Sequence, residues 1–208
     1  MGKAERNRLI YELDSILERL DFGRVFTEKQ PVEVELGSGD GTFLVRWASA
    51  NRHRNFVGVE RLLGRIQKTS RKAIRTGLNN LAAIRIESSY FLEYLVPAGS
   101  LAAVHVYFPD PWPKRKHQQK RLINDRFVVL ANQVLQPGGR VFLRTDDLDY
   151  FEQMQQVFAS SPLFAPVETP LPLAEILTDF ERDFNAKGIP TLRAAYQRAQ
   201  VQTSITFP

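Results

Sequence analysis

The 208-residue sequence contains no cysteine. That excludes disulfides, thiolate metal sites and cysteine nucleophiles at once, and it is compatible with a reducing compartment. Histidine is scarce: His53, His105 and His117 show no ligand-like spacing, so no structural zinc or other metal is expected. Long apolar runs are missing too. The longest candidate, 101–108, is strand-sized and is interrupted by His105. The first fourteen residues carry six charges and no apolar core, which argues against a signal peptide. Arg6 stands where a myristoylation motif needs Ser or Thr. There is no internal repeat and no low-complexity segment. These absences predict a soluble, cytoplasmic protein.

What is present has an ordinary globular balance, with 43% hydrophobic and 25% charged residues. At roughly 150 residues per domain, the length predicts one domain spanning 1–208. The net charge is +5, an excess that suits a polyanionic partner.

Leu9, Ile10, Leu13, Ile16, Leu17 and Leu20 recur at helical spacing, which predicts a helix over about 4–20 and a helical extension over 1–22. Strand-like runs follow at Val32–Leu36, Phe56–Glu60, Leu81–Ile86, Ala103–Phe108 and Arg140–Arg144. Helical patterns at about 42–50, 61–76, 90–95, 122–135 and 149–159 alternate with them. That alternation predicts an α/β fold with a parallel sheet covered on both faces. Gln136-Pro137-Gly138-Gly139 reads as a stop between helix and strand, and the proline-containing stretch 160–172 as a loop. Leu192–Val201 and Thr203–Phe207 read as two late strands, antiparallel to the rest.

The first strand runs into Gly37-Ser38-Gly39-Asp40-Gly41. Glycines at a strand-to-helix turn let the backbone approach a ligand closely. The spacing is G-x-G-x-G, so the dinucleotide fingerprint G-x-G-x-x-G is not matched. Glu35, just before the turn, would repel a pyrophosphate but could accept hydrogen bonds from an ammonium group. Glu60 ends the second strand, about 20 residues beyond the turn, where an acid can hold the two hydroxyls of a ribose. Glu87-Ser88 end the third strand, within reach of an adenine amino group. Together these residues resemble class I S-adenosylmethionine-dependent methyltransferases more than nicotinamide dehydrogenases.

The fourth strand runs into Pro109-Asp110-Pro111-Trp112-Pro113, a rigid loop beside the first strand. It presents one carboxylate and one indole, and Trp112 could either anchor the loop or stack on a base. Lys114 to Arg121 then hold five lysines or arginines in eight residues, a solvated face or a phosphate-contacting patch. Arg61, Arg65, Lys68, Lys72 and Arg75 share one helical face, again either a soluble surface or a phosphate track.

Phe108 to Lys114, the basic run with His117, Lys120 and Arg121, and Thr145-Asp146 after a strand resemble the bacterial tRNA (guanine-N7-)-methyltransferase family over about 32–182. The resemblance implies a Rossmann-like class I methyltransferase fold, a mostly parallel seven-stranded sheet with an antiparallel carboxy-terminal strand. It implies S-adenosylmethionine as methyl donor and tRNA as substrate, methylated at guanine N7 in the variable loop (position 46). By the same resemblance, Asp110 is catalytic and borders the cofactor, held by Glu35, Gly37, Gly39, Glu60, Glu87 and Ser88. Lys114 and Asp146 contact the tRNA, and Thr178, Phe180 and Glu181 close on the guanine. The chain departs from the family pattern at Glu87-Ser88, Gln119, Asp147 and Asp183-Phe184. Another RNA or a protein as acceptor is the alternative reading, and monomer and homodimer fit equally.

Overall fold

The computed structural model describes residues 9–199. Seven strands form one sheet in the order β3-β2-β1-β4-β5-β7-β6. They are β1 (Val32–Leu36), β2 (Asn55–Glu60), β3 (Leu81–Arg85), β4 (Leu101–Tyr107), β5 (Leu135–Thr145), β6 (Phe164–Val167) and β7 (Leu192–Arg198). β1 to β5 run parallel, and β7 lies antiparallel to both β5 and β6. The chain order reverses at β1, which pairs β2 on one side and β4 on the other. Their carboxyl ends therefore form the switch point where open α/β sheets bind ligands.

The helices are a short α1 (Phe22–Val25), α2 (Thr42–Ala50), α3 (Leu63–Arg75), α4 (Ser88–Tyr90, continued by a π-turn Phe91–Leu95), α5 (Asp125–Val134), α6 (Leu148–Ala159), α7 (Leu171–Glu175) and α8 (Asp179–Asn185). One apolar cluster joins Val34, Val57, Val104, Val141 and Leu143 of the sheet to Phe127 and Ala131 of α5 and Met154 and Phe158 of α6. The opposite face packs Phe56, Tyr107 and Phe142 against Phe43, Leu44 and Ala48 of α2 and Ala73 of α3. Asp147, at a departure from the family pattern, starts α6: its carboxylate accepts from the Tyr150 N–H at 2.8 Å.

The expected amino-terminal helix is not formed over 9–20, and its first part lies outside the described residues. Leu9 to Tyr11 instead pair with the open edge of β3, where Tyr11 N donates to Ala83 O and Ala83 N to Leu9 O. An unpaired strand edge offers backbone partners to any extended segment. The helical stripe is also not buried as one face, since Ile16 and Leu17 are 56% and 84% exposed. The expected loop 160–172 contains β6, a strand that tolerates Pro166 because, among the described residues, it is paired on one side only. Gln136 to Gly139 do not separate helix from strand. α5 passes straight into β5, and these residues form an excursion between the pairs Leu101↔Leu135 and Ala103↔Arg140. A Cβ on Gly139 would sit 2.9 Å from the Gln136 carbonyl, so the excursion needs glycine there. The first late strand is β7, and the second, 203–207, lies outside the described residues.

Candidate active site

β1 feeds a turn in which Gly37, Gly39 and Gly41 take left-handed φ values of 75°, 56° and 76°. A Cβ on Gly37 or Gly39 would meet nothing within 4 Å, so backbone conformation selects glycine there and leaves the space above it open. Gly37 N and Ser38 N both donate to Val59 O, which pins the turn to β2. At its far end Thr42 opens α2. Its hydroxyl lies 2.9 Å from Asp40 Oδ1 and 2.6 Å from Asp179 Oδ2, and Lys72 Nζ donates to it. Lys72 also reaches Asp40 at 2.7 Å.

Glu35 is buried behind this turn, and its Oε2 has no hydrogen-bond partner. Burial pushes its carboxyl well above the usual range; Arg144 opposes the shift, while Asp40 and Glu60 add to it. Ser38 Oγ, which sequence reasoning did not single out, is also buried without a partner. Buried polar atoms are nearly always satisfied, so two such atoms beside one turn leave hydrogen-bonding capacity for a polar ligand. The pair could meet the zwitterionic end of an amino acid, Glu35 by accepting from an ammonium group and Ser38 by donating to a carboxylate.

Glu60 closes β2 and is 7% exposed. Its Oε1 accepts from Leu62 N at 2.9 Å and its Oε2 lies 3.5 Å from Arg65, which leaves both oxygens with accepting capacity for a diol. Glu87 caps α4, accepting from Ser89 N at 3.0 Å and Tyr90 N at 2.8 Å, so its carboxylate is largely committed to the backbone.

The loop after β4 is held in an unusual conformation. Phe108 and Trp112 have φ values of 50° and 44°, the only non-glycine residues with positive φ among those described. Such backbone costs about 1–3 kcal/mol per residue and persists only where the surroundings impose it. Arg121 does much of that. Its Nε donates to Pro111 O at 2.7 Å, its guanidinium pairs with Asp149 and Gln153, and it lies over the Tyr150 ring. Arg121 is 2% exposed. The basic run is therefore not uniform: Arg121 is an internal strut, whereas Lys114, Arg115 and Lys116 are exposed. Trp112 sits edge-on to His117, with Lys120 Nζ 4.9 Å from its ring centre. Asp110, between the two strained residues, is exposed.

At the end of β5, Arg144 is 1% exposed and donates to Glu181 Oε2 at 2.7 Å, Leu173 O at 2.6 Å and Ile176 O at 2.9 Å. Thr178 and Glu181 form a reciprocal capping box at the start of α8, and Arg193 takes the second Glu181 oxygen at 2.9 Å. Burial alone would raise the Glu181 carboxyl, but Arg144, the Thr178 N–H and Arg193 outweigh it and hold it low. Neither Thr178 nor Glu181 is free to contact a ligand in this arrangement. Phe180, by contrast, is 52% exposed and packs against Phe108 and Phe184, with ring centres 5.8 and 6.2 Å away.

A cleft of about 480 Å³ runs along these carboxyl ends. Of the expected site residues it brings together Gly37, Glu60, Glu87, Ser88 and Asp110 as lining. Glu35 and Gly39 belong to the turn behind it. Lys114, Asp146, Thr178, Phe180 and Glu181 lie outside the lining, and Phe180 connects to it through Phe108. Beyond Asp110 the cleft continues past Trp112 to Lys120, Arg121 and Arg126. Tyr107 also lines it, with its hydroxyl 2.7 Å from His105 Nδ1, and His105 Nε2 lies 2.9 Å from Glu33. Among the described residues no cluster of His, Asp or Glu is placed to hold a metal, and no helix is long and apolar enough to cross a membrane.

Comparison with known proteins matches residues 29–194 to a family described as a putative methyltransferase. The tRNA (guanine-N(7)-)-methyltransferase of Syntrophotalea carbinolica is 37% identical over 137 residues, 66% of this chain. That match spans only 59% of the Syntrophotalea protein. The enzyme of the same name from Listeria monocytogenes serotype 4b is 32% identical over 174 residues, 81% of each chain. Among solved structures, the 16S rRNA methyltransferase KamB superposes with a TM-score of 0.65 at 18% identity, covering 88% of this chain and 95% of its own. At that identity the likeness is one of fold.

Proposed function

The chain belongs to the tRNA (guanine-N7-)-methyltransferase family, and from that premise we propose that it methylates N7 of a guanosine in the variable loop of tRNA (position 46), in the cytoplasm. S-adenosylmethionine would supply an electrophilic methyl group on sulfur. The unpartnered Glu35 Oε2 and Ser38 Oγ beside the open Gly37 turn suit its amino-acid end, Glu60 its ribose diol, and the Glu87-Ser88 corner its adenine.

Guanine N7 has an in-plane lone pair and no proton, so no general base is required. The protein's task is alignment, which can lower a barrier by up to ~7–11 kcal/mol. Attack by N7 leaves positive charge on the base. Asp110 accepts hydrogen bonds from the guanine N–H edge and stabilises that growing charge. Phe180 covers the base at the cleft mouth, while Thr178 and Glu181 position Phe180 by holding α8 against Arg144. Lys114 and Asp146 meet the flanking RNA.

The observation that carries this reading is Asp110, fixed on the cleft wall between two left-handed residues and two prolines, in the same cleft as Glu60. The test supplies labelled S-adenosylmethionine and an unmodified tRNA transcript, then cleaves at 7-methylguanosine with borohydride and aniline. One cut in the variable loop is expected; label without that cut would move the acceptor, and no label would overturn the reading. Asp110→Ala is expected to slow turnover by about 10²–10³ while S-adenosylmethionine still binds, in line with loss of one group serving developing charge. An active Asp110→Ala variant would remove Asp110 from the chemistry.

A further inference from the structure

Charge is distributed unevenly along the chain. Residues 61–86 hold seven lysines and arginines and no acid, and 111–124 hold five and no acid. The chain's +5 less these twelve leaves −7 on everything else. The two basic segments meet at the cleft, which Arg61 and Arg65 line from one side and Lys120 and Arg121 from the other. From Arg65 the cations continue away from the cleft along α3, where Lys68, Arg71 and Arg75 are all exposed. Ten residues of helix separate Arg65 from Arg75, about 15 Å.

A helix surface that serves only solubility mixes both signs, because like charges three or four positions apart destabilise the helix. α3 does the opposite. Arg65, Lys68, Arg71, Lys72 and Arg75 stack at those spacings with no acid anywhere on the helix. Two find acids elsewhere, Arg65 at Glu60 and Lys72 at Asp40. Lys68, Arg71 and Arg75 have no ion-pair partner among the described residues. The helix is also firmly mounted: Ile66, Thr69, Ser70 and Ala73 are buried, and Thr69 fills the space a Cβ on Gly41 would need.

We infer that the outer face of α3 binds the phosphodiester backbone of the RNA, as the second jaw of a clamp whose first jaw is the exposed run 114–116. The inference rests on the proposed RNA substrate and adds a surface on the cofactor side of the cleft. Phosphates on the two sides of the target guanosine relieve the repulsion within α3 and draw the base toward Asp110.

The test uses the full chain carrying Lys68→Glu, Arg71→Glu and Arg75→Glu together, none of which lines the cleft. The expected result is a KM for tRNA raised at least tenfold at low salt, with saturated kcat and S-adenosylmethionine affinity unchanged. The plot of log affinity for labelled tRNA against log salt should become shallower by about two to three, roughly 0.7–0.9 per lost phosphate contact. Lys68→Gln/Arg71→Gln/Arg75→Gln, which relieves repulsion without adding acids, should fold at least as well and show the same loss of slope. A KM and slope equal to those of the unaltered chain would overturn the inference. Binding is read without turnover, so a chain that binds tRNA through α3 but methylates nothing would retain the clamp and sink the proposed activity. RNA binding indifferent to salt would overturn the clamp by itself.

Discussion

Along β1 the side chains run Val32, Glu33, Val34, Glu35, Leu36, and the pleat sends the aliphatic ones to one face and both glutamates to the other. β4 repeats the division, with Val104 and Val106 against His105 and Tyr107, and so does β5, with Val141 and Leu143 against Phe142 and Arg144. All of these residues are buried. One face is an aliphatic layer under α5 and α6. The other, under α2 and α7, carries a buried polar chain. Glu33 accepts from Trp47 at 2.8 Å and from Arg54 at 2.8 Å, and faces His105, which faces Tyr107. Arg144 lies over the Tyr107 ring, 4.3 Å from its centre, and continues to Glu181. Parallel sheets covered on both faces are normally near-continuous aliphatic runs. Departure from that rule on one face only marks the side on which the protein holds polar groups in fixed positions, with the glycine turn at its end.

Three single substitutions, the first also combined with a second change, probe the contrast. Arg144→Met on the polar face strands Glu181 as a buried, half-paired carboxylate and should cost about 3–5 kcal/mol. The double variant Arg144→Met/Glu181→Leu should regain much of that in a denaturant titration; no recovery would mean that Arg144 acts by packing. On the aliphatic face Ile84→Val removes one methylene from a fully buried side chain and should cost about 0.5–1.5 kcal/mol, with methylation unchanged. A larger loss would show that this face is as exacting as the other.

Glu35→Gln should change stability with the opposite sign. The folded chain holds the Glu35 proton to a higher pH than the unfolded chain does. Its contribution is therefore fully present below the ordinary carboxylate value and is lost as pH rises toward the raised one. The ligand-free Gln variant should gain melting temperature over the unaltered protein, and the gap should widen as pH rises above the ordinary glutamate range. Glu33, Asp40 and Glu181, whose carboxyls are held low, weaken folding in the opposite direction as pH falls, so the difference between the two chains is the quantity to follow. The same variant should bind S-adenosylmethionine more weakly. A gap that does not change with pH would mean that Glu35 is not strained by its burial.

The legibility of the sequence follows the same division. Alternating aliphatics mark β1 to β4 to within about two residues and β5 from Arg140 onward, because burial on the aliphatic face leaves a period-2 record, while Leu135 to Gly139 at the start of β5 read as a helix end and a stop. The glycine turn, Glu60 and Asp110 are also legible in position, since each falls at or just past the carboxyl end of a strand, as the sequence places it. Three further kinds of residue are misread. Leu9 to Leu20 carry a helical stripe, but the free edge of β3 takes the first of them as an extended partner. β6 is only four residues long and contains a proline, too little for a periodic signal. Arg121 is indistinguishable in sequence from the exposed cations beside it, because what buries it, Asp149 and Tyr150, lies in α6. Arg144 and His105 leave one usable mark, a charged or titratable side chain inside a run that should be apolar.

Thr42 joins these parts by a single proton. Its hydroxyl lies within hydrogen-bond reach of two carboxylates, Asp40 in the glycine turn and Asp179 at the head of α8, and Lys72 donates to its oxygen. A hydroxyl has one hydrogen to give, so the two carboxylates compete for it. When the proton turns toward Asp179, the helix bearing Phe180 is tied to α2; when it turns toward Asp40, the glycine turn is braced and α8 loses that tie. Whatever bias an occupant of the turn gives to that choice, an occupant under Phe180 must return in equal measure, because linkage between two sites is reciprocal.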